Sequence, residues 1–398
     1  MRIYLDYAAA TPVRDEVFEA MRPYFRDAFA NPSAIHEEGR VARKAVDDAR
    51  ATIASLLKIR AEEVTLTSGG TEANNLAILG LVDAAVAQGV VPRDIEIIST
   101  AIEHPSVLKA LDVLKKRDVT VHFVPVDSGG LIDIKALVKL LSPKTLLVTF
   151  AYVNSEVGVV QDVRRIVRTI RETERGAVKE GGKKDETYVH IDASQAPLWL
   201  PCAMDSLGVD MMTLDAGKCY GPKGVGVLAR RRHVLLAPNI FGGDQEQGLR
   251  PGTENVPLIV GCAHAFAAAQ EPQRLETRAR KVSTLRDLLF DELEKTIPEI
   301  LTNGSREHRV ANNCNISIPG IDGEFAVVTL DTHGIAASTR SACAGGKGSG
   351  SHVVAAITGD QQRANNTVRF TLGEETTKEE ILRTVEILSQ HVITLHTP

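Results

Sequence analysis

YVHIDASQAPLWLPCAMDSLGVDMMTLDAGKCYGPKGVGVLA, residues 188–229, contains three short apolar runs: YVHIDA, VDMMTLDA and GVGVLA. Each is dominated by aliphatic side chains and bounded by small or polar residues, the pattern of a strand buried on both faces of a sheet. Outward from this segment the pattern recurs in VTLTS (64–68), IEIIST (95–100), VHFVPV (121–126) and LLVTFAYV (146–153), with amphipathic stretches between several of the runs. Strands alternating with helices predict a three-layer α/β/α domain around a mainly parallel sheet, assigned to residues 15–261.

Past Gly261 the pattern changes. Ala263 to Thr296 reads as one long helical stretch, followed by NNCNISIPG (312–320), FAVVTLDTHGIAA (325–337), TVRFTLG (367–373) and a final helix from Lys378. These residues, 262–398, are expected to form a smaller α+β domain completed by residues 1–14. ETERGAVKEGGKKDE, Glu172 to Glu186, is charged and contains glycine, and is read as a solvated surface loop.

A length of 398 residues favours two domains, and 43% hydrophobic with 24% charged residues is ordinary for a globular protein. The net charge is -5, and neither a basic stripe nor a polybasic tail is present, which argues against nucleic acid or an anionic membrane as partner. MRIYLDYAAATP has no apolar core of a leader peptide, and LIVGCAHAFAAA from Leu258 is too short to span a bilayer. The expectation is a cytoplasmic protein acting on a small molecule. Five cysteines without a Cys-x-x-Cys pair suit neither a disulfide framework nor a zinc site, so no metal is expected.

Lys218 follows an apolar run and is flanked by glycines, and Asp192 lies 26 residues earlier in HIDASQ. A lysine able to form an imine and a carboxylate able to face a pyridine nitrogen are what pyridoxal 5'-phosphate needs from a protein. Ser68-Gly69-Gly70-Thr71-Glu72 joins a strand to a helix, where backbone N–H groups and a hydroxyl can receive phosphate. His104 in IEHPSV could lie over a flat ring, although a structural role is the commoner fate of such a histidine. Asn154 in YVNSEVG and Gln195 in HIDASQ are neutral hydrogen-bonding groups at or just beyond further strand ends, where α/β sheets bind ligands.

Cys343 lies in STRSACAGGKGSGSHVV, a Gly, Ser and Ala-rich stretch expected to be exposed; Cys202, Cys219, Cys262 and Cys314 sit beside apolar runs and read as core residues. Arg369 in NNTVRFTLG stands in an apolar strand, where its guanidinium needs either a substrate carboxylate or an internal salt bridge. Arg250 in GLRPGTEN reads as structural or interfacial.

Taken in order, YLDYAAATP, NPSAIHEEGR, TSGGTEANN, EHPSV, NSEVG, HIDASQ, GPKGVGVL, RPGTENVP, SAC and VRFTLG run through nearly the whole chain. Their collinear order resembles the class V aminotransferase family of fold-type I pyridoxal-phosphate enzymes, and within it the cysteine desulfurases of the NifS and IscS type. The resemblance implies that Lys218 carries the cofactor and moves the substrate Cα proton, that His104 stacks on the ring, and that Asp192 pairs with the pyridine nitrogen. It implies further that Asn154 and Gln195 address ring substituents and that Thr71 with the Gly70 backbone binds the phosphate. Thr253 would reach the phosphate of the partner subunit in a homodimer, and Asn31 and Arg369 would hold the substrate carboxylate. Cys343 would take sulfur from L-cysteine as a persulfide, leaving alanine, and pass it to an acceptor protein for iron–sulfur cluster assembly or tRNA thiolation.

Two departures stand out. Relatives usually carry Ser-x-His-Lys where this chain has Asp215-Ala216-Gly217-Lys218, which puts a carboxylate near the expected phosphate. Arg340 replaces a usual small residue ahead of Ser-Ala-Cys. Two alternatives therefore stay open: a selenocysteine lyase or related pyridoxal-phosphate lyase working without Cys343, and a dimeric interaction protein that holds the cofactor weakly.

Overall fold

The computed structural model describes residues 2–179, 187–339 and 350–396. Cys343 and Arg340 lie outside the described residues.

Strand β1 (Ile3–Tyr4) opens the chain, and seven further strands form the central sheet: β2 (Val64–Thr67), β3 (Glu96–Ser99), β4 (Thr120–Phe123), β5 (Thr145–Ala151), β6 (Tyr188–Asp192), β7 (Met211–Asp215) and β8 (Gly226–Arg230). All seven coincide with the apolar runs read from the sequence. Their order is β2-β8-β7-β6-β5-β3-β4, parallel throughout except that β8 is antiparallel to both neighbours. Successive strand residues serve opposite faces, as a pleat requires. Ile97 and Leu147 pack with Ala73, Leu76, Val107 and Leu111, whereas Ile98 and Val148 join the larger core with Ile53, Ile166 and Val260. The sheet is thus covered by helices on both sides, giving the three-layer α/β fold expected.

A second, three-stranded antiparallel sheet consists of β9 (Leu301–Thr302), β10 (Asn313–Ser317) and β12 (Thr367–Thr371), in the order β12-β10-β9. Strand β11 (Ile335–Ala336) pairs in parallel with β1. Most of FAVVTLDTHGIAA is the helix Gly323–Thr332, and only Ile335–Ala336 is extended.

Two stretches differ from the sequence reading. Ala263–Thr296 belongs to two helices, Val256–Gln270 and Pro272–Thr296. Pro272 has no N–H to continue the first helix, and Glu271 caps the second by accepting from Gln273 N and Arg274 N. Residues 172–179 are not loop but the end of the helix Val163–Lys179. Glu174 holds them there by accepting from Thr187 N at 2.6 Å and pairing with Arg171 at 3.3 Å.

The N-terminal segment ties the two sheets to the pocket. Asp6 bridges to Thr371 of β12, and Thr11 makes two hydrogen bonds to Gly217 O and accepts from Tyr220 N at 2.7 Å. Ala8 and Ala9 are thereby fixed beside the turn that follows β7.

Candidate active site

Because β2, β3, β5, β6 and β7 run in one direction, the residues just beyond them gather at one edge of the sheet, where α/β folds bind ligands. One cavity there is lined by Ala8, Gly70, Thr71, Asn74, His104 and Asn154, and by Asp192, Ser194, Gln195, Asp215, Lys218 and Arg369. Eight of the residues singled out in the sequence converge in it: Gly70, Thr71, His104, Asn154, Asp192, Gln195, Lys218 and Arg369. Asn31 and Thr253 do not; both are exposed, and the Asn31 side chain is used locally, accepting from Ser33 N at 2.9 Å.

Lys218 ends a single 3-10 turn, Ala216–Lys218, directly after β7, and its Nζ donates to Ala9 O. Asp192 ends β6. Its Oδ1 accepts from Ser194 Oγ at 2.6 Å and Ser194 N at 3.0 Å, and its Oδ2 accepts from Asn74 Nδ2 at 2.8 Å. Three donors from two elements leave this carboxylate a single orientation. Asn74 also donates to Ser106 Oγ at 2.9 Å, which links Asp192 to the start of the helix Pro105–Lys115.

His104 caps that helix. Its Nδ1 accepts from Ser106 N at 3.1 Å, so the neutral ring carries its proton on Nε2. Burial pushes the imidazole below its ordinary range, against the pull of Asp192, which favours the neutral ring. The structural reading of His104 holds, since one nitrogen caps a helix, and its ring lines the cavity. Two residues before Asp192, His190 is driven down to about 4 by burial and bridges Thr149 and Thr213 on the neighbouring strands, a purely structural role.

Asn154 is largely committed to its turn, with Oδ1 accepting from Glu156 N and Val157 N and Nδ2 donating to Ile102 O at 2.7 Å. The second amide hydrogen remains for a ligand. Gln195 donates to Ala8 O at 3.0 Å. Arg369, almost fully buried, pairs with Asp6 Oδ1 at 2.8 Å and donates to Ser155 O at 2.9 Å. The internal salt bridge considered for it exists, yet its Nε has no partner among the described residues.

At the opposite end, Gly70 begins the helix Gly70–Ala87, and Gly69 before it has φ 148°, open to glycine alone at low cost. A Cβ at Gly226 of β8 would lie 2.6 Å from Gly69 C, so backbone passes directly over backbone here. Asp215 reaches this end too: Oδ2 accepts from Gly70 N at 3.3 Å and Oδ1 from Gly217 N at 2.9 Å.

The donor set fits pyridoxal phosphate at three points: a primary amine, a fixed carboxylate for a ring nitrogen, and a neutral imidazole for a ring face. Asn74 Oδ1 and Arg369 Nε, both buried without a partner among the described residues, leave hydrogen-bonding capacity for a ligand. Asn74, Ser106 and Ser194 were not singled out from the sequence. The available signal was a polar residue four positions after Gly70 on a helix otherwise rich in Ala and Leu, and a serine two residues after Asp192, where an Asx turn forms.

Cys202, Cys219, Cys262 and Cys314 are all buried, and burial raises each thiol, Cys202 and Cys314 to about 12. Cys219 turns its sulfur toward Asp215 O and Ala216 O despite adjoining Lys218. Arg250 pairs with Glu72 at 3.2 Å, in keeping with a structural role.

Glu103, next to His104, is buried and pushed up to about 8 by desolvation, with Thr100 Oγ1 donating to Oε1 at 2.7 Å and Oε2 unpartnered among the described residues. The folded protein keeps this proton while the unfolded chain releases it above about 4.5. Stability from this group is therefore fully present below pH 4.5 and is lost as pH rises toward 8. Denaturant unfolding from pH 5 to 8 should show this decline in the parent protein and a flatter profile in Glu103→Gln; equal slopes would contradict it.

The sequence pattern of the family described as Aminotransferase class-V matches residues 3–384. A cysteine desulfurase IscS of Dictyoglomus turgidum is 37% identical over 395 residues, covering 99% of this chain and 95% of its own. A cysteine desulfurase IscS of Archaeoglobus fulgidus is 36% identical over 387 residues, covering 97% of this chain and 95% of its own. Among solved structures, a NifS-like protein superposes with a TM-score of 0.89 at 32% identity, covering 99% of this chain and 100% of its own. SspA, solved in complex with cysteine, superposes with a TM-score of 0.76 at 31% identity, covering 95% of this chain and 100% of its own. Matched along nearly its whole length, the chain belongs to the class-V aminotransferase family.

Proposed function

We propose that the protein is a pyridoxal-phosphate-dependent cysteine desulfurase that converts L-cysteine to L-alanine and delivers the sulfur, as a persulfide on Cys343, to an acceptor protein. The observation that carries this reading is the meeting of Lys218, Asp192 and His104 in one cavity of a chain similar end to end to cysteine desulfurases. The complex of the related SspA with cysteine supports the choice of substrate.

When bound, pyridoxal phosphate supplies an electron-withdrawing ring that makes the substrate Cα proton removable. Lys218 is the amine that holds the cofactor and then carries the Cα proton. Asp192, locked by Ser194 and Asn74, would hold the ring nitrogen and favour its protonated form. His104 would lie against the ring as a neutral imidazole. Arg369, held in place by Asp6, receives the substrate carboxylate through its remaining donor capacity. The Cys343 thiolate attacks the substrate sulfur; an S–S bond forms, the Cβ–S bond breaks, and its electron pair stays on carbon, which takes a proton to give the methyl group of alanine. No external oxidant is needed, because the substrate Cβ is reduced by the electron pair it keeps as the sulfur is oxidised to persulfide level.

We further infer a homodimer in which the exposed Thr253 reaches the partner subunit's cofactor phosphate, and a place in iron–sulfur cluster assembly or tRNA thiolation. No helix among the described residues is long and apolar enough to cross a membrane, which is compatible with the cytoplasmic location inferred from the sequence.

Product analysis tests the proposal: purified protein given L-cysteine should yield alanine and protein-bound persulfide in equal amounts. Comparison with L-selenocysteine and cysteine sulfinate separates it from a lyase, since turnover of those compounds but not of cysteine would refute it. Asp192→Asn should still bind the cofactor and turn over about 10²-fold more slowly; an unchanged kcat would remove Asp192 from the ring nitrogen.

A further inference from the structure

The end of the cavity at the helix Gly70–Ala87 is closed by a side chain of the protein itself. Gly70 is the first residue of that helix, so its N–H has no helical partner and is available to an anion. Asp215 takes it, with Oδ2 on Gly70 N at 3.3 Å while Oδ1 is anchored on Gly217 N at 2.9 Å. Ser194 Oγ lies close by, 3.0 Å from where a Cβ on Gly70 would stand, so the space around this N–H is narrow. Asp215 thus sits across the donor that the family resemblance assigns to the cofactor phosphate.

The neighbouring cations are committed elsewhere. Lys223 reaches Thr11 O at 3.4 Å, Arg250 pairs with Glu72, Arg369 pairs with Asp6, and Lys218 donates to Ala9 O. Among the described residues no ion pair is formed by Asp215. A phosphate brought to Gly70 N meets a half-buried carboxylate within a few ångströms, with the helix terminus as the favourable counterweight. Like charges at that separation repel strongly enough in a partly desolvated site to change affinity by an order of magnitude.

We propose that Asp215 determines the cofactor specificity of this pocket, acting as an internal anion that the phosphate must displace from Gly70 N–H. The inference rests on the pyridoxal-phosphate reading above and deepens it. Pyridoxal phosphate is then held more weakly than the helix terminus allows, and its advantage over unphosphorylated pyridoxal is small. Occupancy of the pocket consequently follows the supply of free cofactor rather than staying saturated.

The test titrates cofactor-stripped protein with pyridoxal phosphate and, separately, with pyridoxal, following the visible absorbance of the bound form. The parent protein should prefer the phosphorylated compound by less than about tenfold. Asp215→Asn keeps an acceptor for Gly217 N and removes the charge; it should bind pyridoxal phosphate about tenfold more tightly, with pyridoxal affinity unchanged within about twofold. Asp215→Ser should behave alike, and thermal melts of both variants establish that they are folded.

An unchanged ratio of the two affinities in the folded variants, or weaker binding of pyridoxal phosphate, would overturn the inference. Should neither variant fold, the parent protein still decides, because a hundredfold preference for the phosphorylated compound contradicts the proposal. A parent protein that binds neither compound would overturn the functional reading as well, whereas binding of both with an unaltered ratio in the variants overturns this inference alone.

Discussion

Lys218→Ala should lose the visible absorbance of bound cofactor and reduce alanine formation by about 10⁴-fold or more, the upper range for a positioned proton-transfer group that is also the point of covalent attachment. Among the described residues, Lys218 is the only lysine that lines the cavity. The substitution removes the hydrogen bond to Ala9 O from a turn also held by Thr11 through Gly217 O and Tyr220 N. The fold should therefore survive at a cost of about 1 kcal/mol. Unchanged thermal melting together with lost absorbance would establish that the effect is chemical. A variant retaining the absorbance band and a tenth of the activity would transfer the role to another residue.

Cys343→Ser should keep the cofactor absorbance, lose persulfide on the protein, and slow alanine formation by about 10³-fold or more, because a hydroxyl neither ionises near neutral pH nor attacks divalent sulfur at a comparable rate. The argument for this residue is chemical elimination. The other four cysteines are buried and their thiols are raised by desolvation, so none supplies thiolate near neutral pH. Cys343 is the one whose sequence surroundings, rich in Gly, Ser and Ala, suit an accessible nucleophile. Mass analysis of the protein after reaction with L-cysteine measures the added sulfur directly. Persulfide of undiminished amount in Cys343→Ser would identify a different acceptor.

Strands β2, β7 and β8 were legible because they are buried along nearly their whole length and so read as unbroken apolar runs, VTLT, MMTLD and GVLAR, that needed no periodicity argument; β4, at the sheet edge, is partly exposed. Helix boundaries were harder. Apolar spacing continues across Gln270 to Pro272, and only the proline's missing N–H divides the two helices there. The ETERGAVK end of the helix Val163–Lys179 reads as solvated because it is rich in charge, while what holds it is the contact of Glu174 with Thr187, thirteen residues away.

Within the site, Lys218, Asp192 and His104 were legible because their chemistry is unusual at strand ends. Asn74, Ser106 and Ser194 were not, because each is an ordinary helix or turn residue until the fold brings it to Asp192 or His104. Asp215 was conspicuous in sequence as a charge next to the expected phosphate. Its hold on Gly70 N and Gly217 N depends on β2 and β7 ending at the same edge of the sheet on either side of β8, and that juxtaposition appears only in three dimensions.

The central claim is that Lys218 carries pyridoxal phosphate in a site that accepts L-cysteine. The absorption spectrum of the purified protein, supplemented with pyridoxal phosphate, before and after addition of L-cysteine tests it most directly. The account predicts a visible band that shifts on addition of cysteine and returns as alanine accumulates. A protein without such a band, or with a band that cysteine leaves unchanged, would contradict it.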